Sequence, residues 1–127
     1  MGAGIADNLQ QIMDAQGRLQ ERMLPKWVAM GEALGLDYMS LYLKENCVML
    51  VDEALEAMHE TPWKFHKNDF GRAMLDGERD RYLHETIDCL HFVVNMLIFA
   101  GVTSADEVLA LYMEKNEINH DRQDRGY

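Results

Sequence analysis

The chain has 127 residues, of which 48% are apolar, and carries 12 Lys plus Arg against 22 Asp plus Glu, a formal net charge of −10. That length suits a single domain over residues 1–127, and so apolar a chain with only two prolines is not a disordered one. The negative balance repels a nucleic-acid backbone and so argues against a polymer partner, while a small anionic substrate stays open through metal ions.

Ten Met and few β-branched residues favour helices over strands. Residues 4–23 read as a first amphipathic helix, with Ile5, Leu9, Ile12, Leu19 and Met23 at alternating steps of three and four. Gln16 sits on that stripe where an apolar residue is expected. "LPKW" (24–27) breaks the pattern, and Pro25 suits the first turn of a short following helix. "GLD" (35–37) predicts a turn with Asp37 as an N-cap. A second helix is expected over about 38–60, with the stripe Leu41, Val48, Val51, Leu55 and Met58. Residues 61–78 mix Pro, Gly, aromatics and charges and predict a loop holding at most one helical turn.

A third helix follows over about 79–100, then Gly101 as its stop and Ser104 with Glu107 as a capping box for a fourth helix over 105–120. The fold class is therefore all-α, a compact bundle of four to five helices joined by short loops. The longest apolar run, "LHFVVNMLIFAGV" (90–102), is too short to span a bilayer and reads as a core helix, so no membrane partner is expected. Cys47 and Cys89 form no C-x-x-C, and no signal peptide is visible at the start, which together predict reduced thiols in the cytoplasm.

Two carboxylate pairs carry the chemistry. Glu53 and Glu56 are three apart on the second helix and point the same way; Glu85 and Asp88 repeat the spacing on the third. The latter belong to a row, Arg81, Glu85, Asp88, Phe92, Asn95 and Phe99, on the most apolar helix, where buried acids are costly unless a positive charge compensates them. One Glu-x-x-Glu alone is ordinarily a solvated face. Two pairs on neighbouring helices instead predict four oxygens converging on hard cations such as Mg²⁺.

In the last stretch, "LYMEKNEINHDRQDRGY" (111–127), Tyr112, Lys115, Asn119 and Arg122 or Gln123 share one helical face. They suit phosphate and base or sugar edges, or equally a solvated C-terminal helix. Gln16 within an apolar stripe and Asn95 within an apolar helix need partners that a bound base would supply, or that they supply to each other. Among His59, His66, His84, His91 and His120 no zinc spacing occurs; His91, three after Asp88, is placed to orient a metal ligand.

Taken together, "DEALEAMHETPWK", "ETIDCLHF" and "KNEINHDRQDRGY" resemble the all-α dimeric dUTPases, relatives of the phage dCTPase–dUTPases and the MazG-type pyrophosphohydrolases, over about residues 9–127. The resemblance implies that Glu53, Glu56, Glu85 and Asp88 hold two or more Mg²⁺ ions, for which Mn²⁺ can substitute. It further implies that a metal-activated water cleaves dUTP, or dUDP, to dUMP, with Glu53 as general base and Glu56 as the second candidate. It makes Gln16, Phe92 and Asn95 the lining of the base and deoxyribose pocket, Trp63 a wall, and Lys64 a phosphate or metal-shell contact. Lys115, Asn119 and Arg122 would contact base, sugar and phosphates, and the enzyme would be a homodimer.

Three departures stand against this pattern. The chain stops at Tyr127 where many relatives continue, so some phosphate contacts are expected to be lacking or to come from a partner subunit. The segment after "PWKFHK" is short, and Asn95 replaces the small hydroxyl residue of many members. Because a carboxamide can serve uracil or cytosine, dCTP or a broader set of deoxynucleotides is the alternative substrate. A non-catalytic cation-binding dimerisation module is the reading from another class.

Overall fold

The computed structural model describes the backbone of residues 5–126 and the side chains of residues 8–126; the expected start at Gly4, the Ile5 side chain and Tyr127 lie outside the described residues. Four helices follow in order: α1 (Ile5–Leu34), α2 (Tyr38–His59), α3 (Asp76–Phe99) and α4 (Ala105–Asp124), with no strand among the described residues.

Their ends follow from local chemistry. Gly35 and Gly101 both take positive φ, and each is followed by an N–H reaching five residues back, Leu36 to Gly31 at 2.9 Å and Val102 to Leu97 at 2.9 Å. This arrangement stops a helix while occupying its last carbonyls. Gly31 is also tight: a Cβ there would stand 2.8 Å from the Tyr38 Cβ, so the α1–α2 corner closes only without a side chain. Asp37 Oδ2 accepts from the Ser40 N–H at 2.9 Å and Ser104 Oγ from the Glu107 N–H at 3.2 Å, the two caps that the sequence predicts.

Two expectations are corrected. Helix α1 does not break at "LPKW" but runs 30 residues with Pro25 inside it. Proline removes one hydrogen bond, and tertiary contact beyond it holds the second half: the Trp27 ring stands edge-on to Tyr42 at 5.2 Å. Helix α3 starts three residues earlier than expected, at Asp76. Leu75 has no side-chain oxygen to cap it, and the Glu78 carboxylate instead reaches back to the Leu75 N–H while Arg72 grips Glu78 through two nitrogens at 3.0 and 2.7 Å.

Helices α2 and α3 form an antiparallel hairpin, seen in the pairs Glu60–Arg81, Asn46–Asn95 and Tyr42–Phe99. Helix α1 packs on both, and the α4 backbone lies closest to α1. An apolar core of Met13, Val94 and Ala105, flanked by Leu9, Leu90, Ile98 and Val108, joins α1, α3 and α4. The α2 stripe is a third correction. Val48, Val51 and Leu55 are exposed, and the line that α2 buries is Tyr42, Asn46 and Ala57. Apolar periodicity marks a face, and here that face lies away from the α3 partner.

Candidate active site

Between α1, α2 and α3 lies a cavity of about 320 Å³. Its floor is polar: Gln16 and Gln20 from α1, Asn46 from α2 and Asn95 from α3 are all buried and all line it. Leu19, Met23, Trp27, Met49 and Phe92 form its apolar walls, and Glu53, Asp88 and His91 stand at its edge.

The amides are not orphans. Gln16 Nε2 donates to Asn95 Oδ1 at 2.5 Å, Asn95 Nδ2 to Asn46 Oδ1 at 3.2 Å, and Asn46 Nδ2 to the Tyr42 backbone carbonyl at 2.8 Å. The Tyr42 hydroxyl donates to Gln20 Oε1. Burial pushes that hydroxyl up to about 12, so it remains a neutral donor. Gln16 and Asn95 thus meet each other, and they do so at the floor of a cavity large enough for a ligand.

Three of the four predicted carboxylates converge beside it. Oxygens of Glu53, Glu56 and Glu85 lie within 4.8 Å of one another, and Asp88 joins Glu53 on the cavity edge. Glu53 is half-buried, and its Oε2 is shut from solvent with no hydrogen-bond partner. Its burial, followed by the charges of Glu56, Asp88 and Glu85, holds the Glu53 carboxyl up at about 7. Glu85 is raised for the same reasons, burial first and Glu56 next. A buried carboxylate oxygen without a donor is expensive, and three acids this close repel one another. Both costs vanish if a hard divalent cation sits among them, so the donor set fits such an ion.

Other predicted residues lie elsewhere. Trp63 and Lys64 line a separate hollow of about 500 Å³ after α2, with the Lys64 Nζ 5.6 Å from the Trp63 ring centroid. Lys115, Asn119 and Arg122 are exposed on α4, and none of them lines the cavity within one chain. His91 is exposed at the cavity edge. Sequence reasoning missed Gln20, Tyr42 and Asn46. The signal was present as i, i+4 spacing, Gln16 with Gln20 and Tyr42 with Asn46, each pair on one helical face.

An all-α bundle with an acid cluster beside an amide-floored cavity is thus the class that fold and site define. The chain matches the dUTPase family over residues 8–107 and belongs to it. It is also similar to the dCTP pyrophosphatase of Enterobacteria phage T4, 46% identical over 43 residues, and to that of Enterobacteria phage LZ5, 51% identical over 43 residues. Each match covers 34% of this chain and only about a quarter of the phage protein, 25% and 24%. No solved structure matches.

Proposed function

We propose that the protein is a Mg²⁺-dependent nucleotide pyrophosphohydrolase that converts dUTP, and dUDP, to dUMP. The observation that carries this reading is the orphaned Glu53 Oε2 within an acid cluster that opens onto the amide-floored cavity. The bond broken joins the α- and β-phosphates, so water and dUTP give dUMP and pyrophosphate, and water and dUDP give dUMP and orthophosphate.

Glu53, Glu56, Glu85 and Asp88 would hold Mg²⁺. When bound, the ion supplies charge neutralisation for the phosphates and lowers the pKa of the attacking water. Glu53 would receive the water's proton, and Glu56 is the second candidate. Gln16 and Asn95 orient the base and Phe92 walls it. Trp63 and Lys64, in the hollow after α2, would meet the phosphate tail.

A homodimer is part of the proposal. Large apolar side chains are exposed on α1, α2 and α4, among them Leu19, Val51 and Leu109, more than a small lone bundle leaves to water. A second copy would cover them and could bring Lys115, Asn119 and Arg122 to the cavity of its partner. A cytoplasmic location is proposed with it; no described helix is long and apolar enough to cross a membrane.

The second reading, dCTP as substrate, is favoured by the likeness to the phage dCTP pyrophosphatases. Pyrophosphate and orthophosphate release with Mg²⁺ across dUTP, dUDP, dCTP, dTTP, dATP, dGTP and UTP separates the two. Preference for dUTP and dUDP supports the first reading, and equal or faster turnover of dCTP supports the second. Hydrolysis of none would refute both and favour a cation-binding module without catalysis.

A further inference from the structure

The row that runs along α3 from Arg81 through Glu85, Asp88 and Phe92 to Asn95 steps by four and three, so its members share one helical face. All but the first already have a place: Glu85 belongs to the acid cluster, and Asp88, Phe92 and Asn95 line the cavity. Arg81 stands one turn beyond Glu85, about 5.4 Å along the axis. Across the hairpin α2 repeats the order, with Asn46 at the cavity, Glu53 and Glu56 in the cluster, and Glu60 at the helix end one turn beyond. The site is therefore ordered along both helices, first amides, then acids, then the Glu60–Arg81 pair.

That pair orients the arginine without using it up. Arg81 Nε donates to Glu60 Oε2 at 2.7 Å, while its two terminal nitrogens donate to no described residue. Glu78, the other acid whose charge acts on it, is gripped by Arg72 through both oxygens. The Arg81 side chain is 59% exposed and lines a hollow of about 230 Å³ with Asp80, His84 and Glu85. Asp80 there is met by Arg79 Nη1 at 3.9 Å. A guanidinium fixed at Nε, with two donors open beside a member of the acid cluster, is a fork for a phosphate. An exposed ion pair contributes little to stability by itself, so holding two helices together is a poor account of it.

We propose that Arg81, positioned by Glu60, binds the terminal phosphate of a nucleoside triphosphate and so sets a preference for triphosphate over diphosphate. This rests on the nucleotide reading above and deepens it. With the base in the cavity and the scissile α–β bridge at the acids, the tail continues away from the amides, and its third phosphate arrives at the turn that carries Arg81. A diphosphate ends at the acids and gains nothing from that residue.

The probes are the α,β-imido triphosphate and diphosphate of the deoxynucleoside turned over faster, deoxyuridine or deoxycytidine, which resist cleavage and are titrated by calorimetry with Mg²⁺. The wild type should bind the triphosphate analogue more tightly. Arg81→Gln should weaken it about tenfold, the lower end for a hydrogen bond to a charged group, and the diphosphate analogue by less than about twofold. In turnover the same change should raise KM for the triphosphate more than it lowers kcat. Arg81→Lys keeps the charge without the fork and should fall between. Glu60→Gln still accepts from Nε and should keep the preference, whereas Glu60→Leu should lose part of it.

If the pair only ties α2 to α3, Arg81→Gln and Glu60→Leu weaken both analogues alike. That result, or unchanged triphosphate binding in Arg81→Gln, overturns the assignment and leaves the hydrolase reading standing. A wild-type protein that binds neither analogue and hydrolyses no nucleotide overturns both.

Discussion

The two halves of this bundle are built on different principles. Where α1, α3 and α4 meet, Met13, Val94 and Ala105 form a small apolar core that needs no partner outside the chain. Where α1, α2 and α3 meet, the buried residues are Gln16, Gln20, Asn46 and Asn95, leading to acids of which one oxygen is orphaned. Apolar burial stabilises by area and asks for little geometry, whereas a buried polar group stabilises only when every donor and acceptor is met. The first half thus holds the fold, and the second sets aside stability at a site that a cation and a nucleotide would complete.

Substitution should separate the halves cleanly. The largest effect is expected for Glu53→Gln, which should lower kcat by about a thousandfold, the scale of losing a general base, while leaving the circular dichroism spectrum helical. The same change removes a repelled charge, so the metal-free variant should melt higher than the wild type; a lower melting point would contradict the repulsion. In the apolar half the pattern inverts. Met13→Ala should cost ~3 kcal/mol in urea unfolding, within the usual range for emptying a core methionine site, and leave kcat of the folded protein largely unchanged.

Acidity sharpens the contrast further. The folded chain holds a proton on Glu53 up to about pH 7, whereas the unfolded chain releases it in the ordinary carboxylate range. Between those limits the native state binds more protons, so stability falls as pH rises through the window. Metal-free protein should accordingly melt at a higher temperature at pH 5 than at pH 8, with Glu85 acting in the same direction. Glu53→Gln should flatten that slope and Met13→Ala should not. The smallest effect expected is at Asp37→Ala, which removes the exposed α2 cap, apart from the apolar core and the cavity, and should cost ~1 kcal/mol without altering the pH slope.

What the sequence made legible was whatever is encoded locally. The caps at Asp37 and Ser104, the stop at Gly101 and the three-residue spacing of Glu53–Glu56 and Glu85–Asp88 need only a helix to take effect. The meeting of Gln16 and Asn95 was foreseeable because Gln16 breaks an apolar stripe and Asn95 stands in an apolar helix. Asn46 was not, since its neighbours in sequence, Cys47 and Val48, are exposed and its partner lies 49 positions away on α3. The continuity of α1 through Pro25 depends on Trp27 finding Tyr42, again a contact between helices. The Val48, Val51 and Leu55 stripe was legible as apolar but not in what it faces, and Lys115, Asn119 and Arg122 share a helical face that, in one chain, meets no part of the cavity.

The central claim is that the acid cluster is a cation site completed by binding. Its most direct test is the melting temperature at pH 8 with and without Mg²⁺, on the wild type and on Glu53→Gln. An ion that binds the folded chain alone must raise its melting point with concentration. The wild type should rise by several degrees and the variant by clearly less. Equal melting with and without Mg²⁺ in the wild type would contradict the site itself.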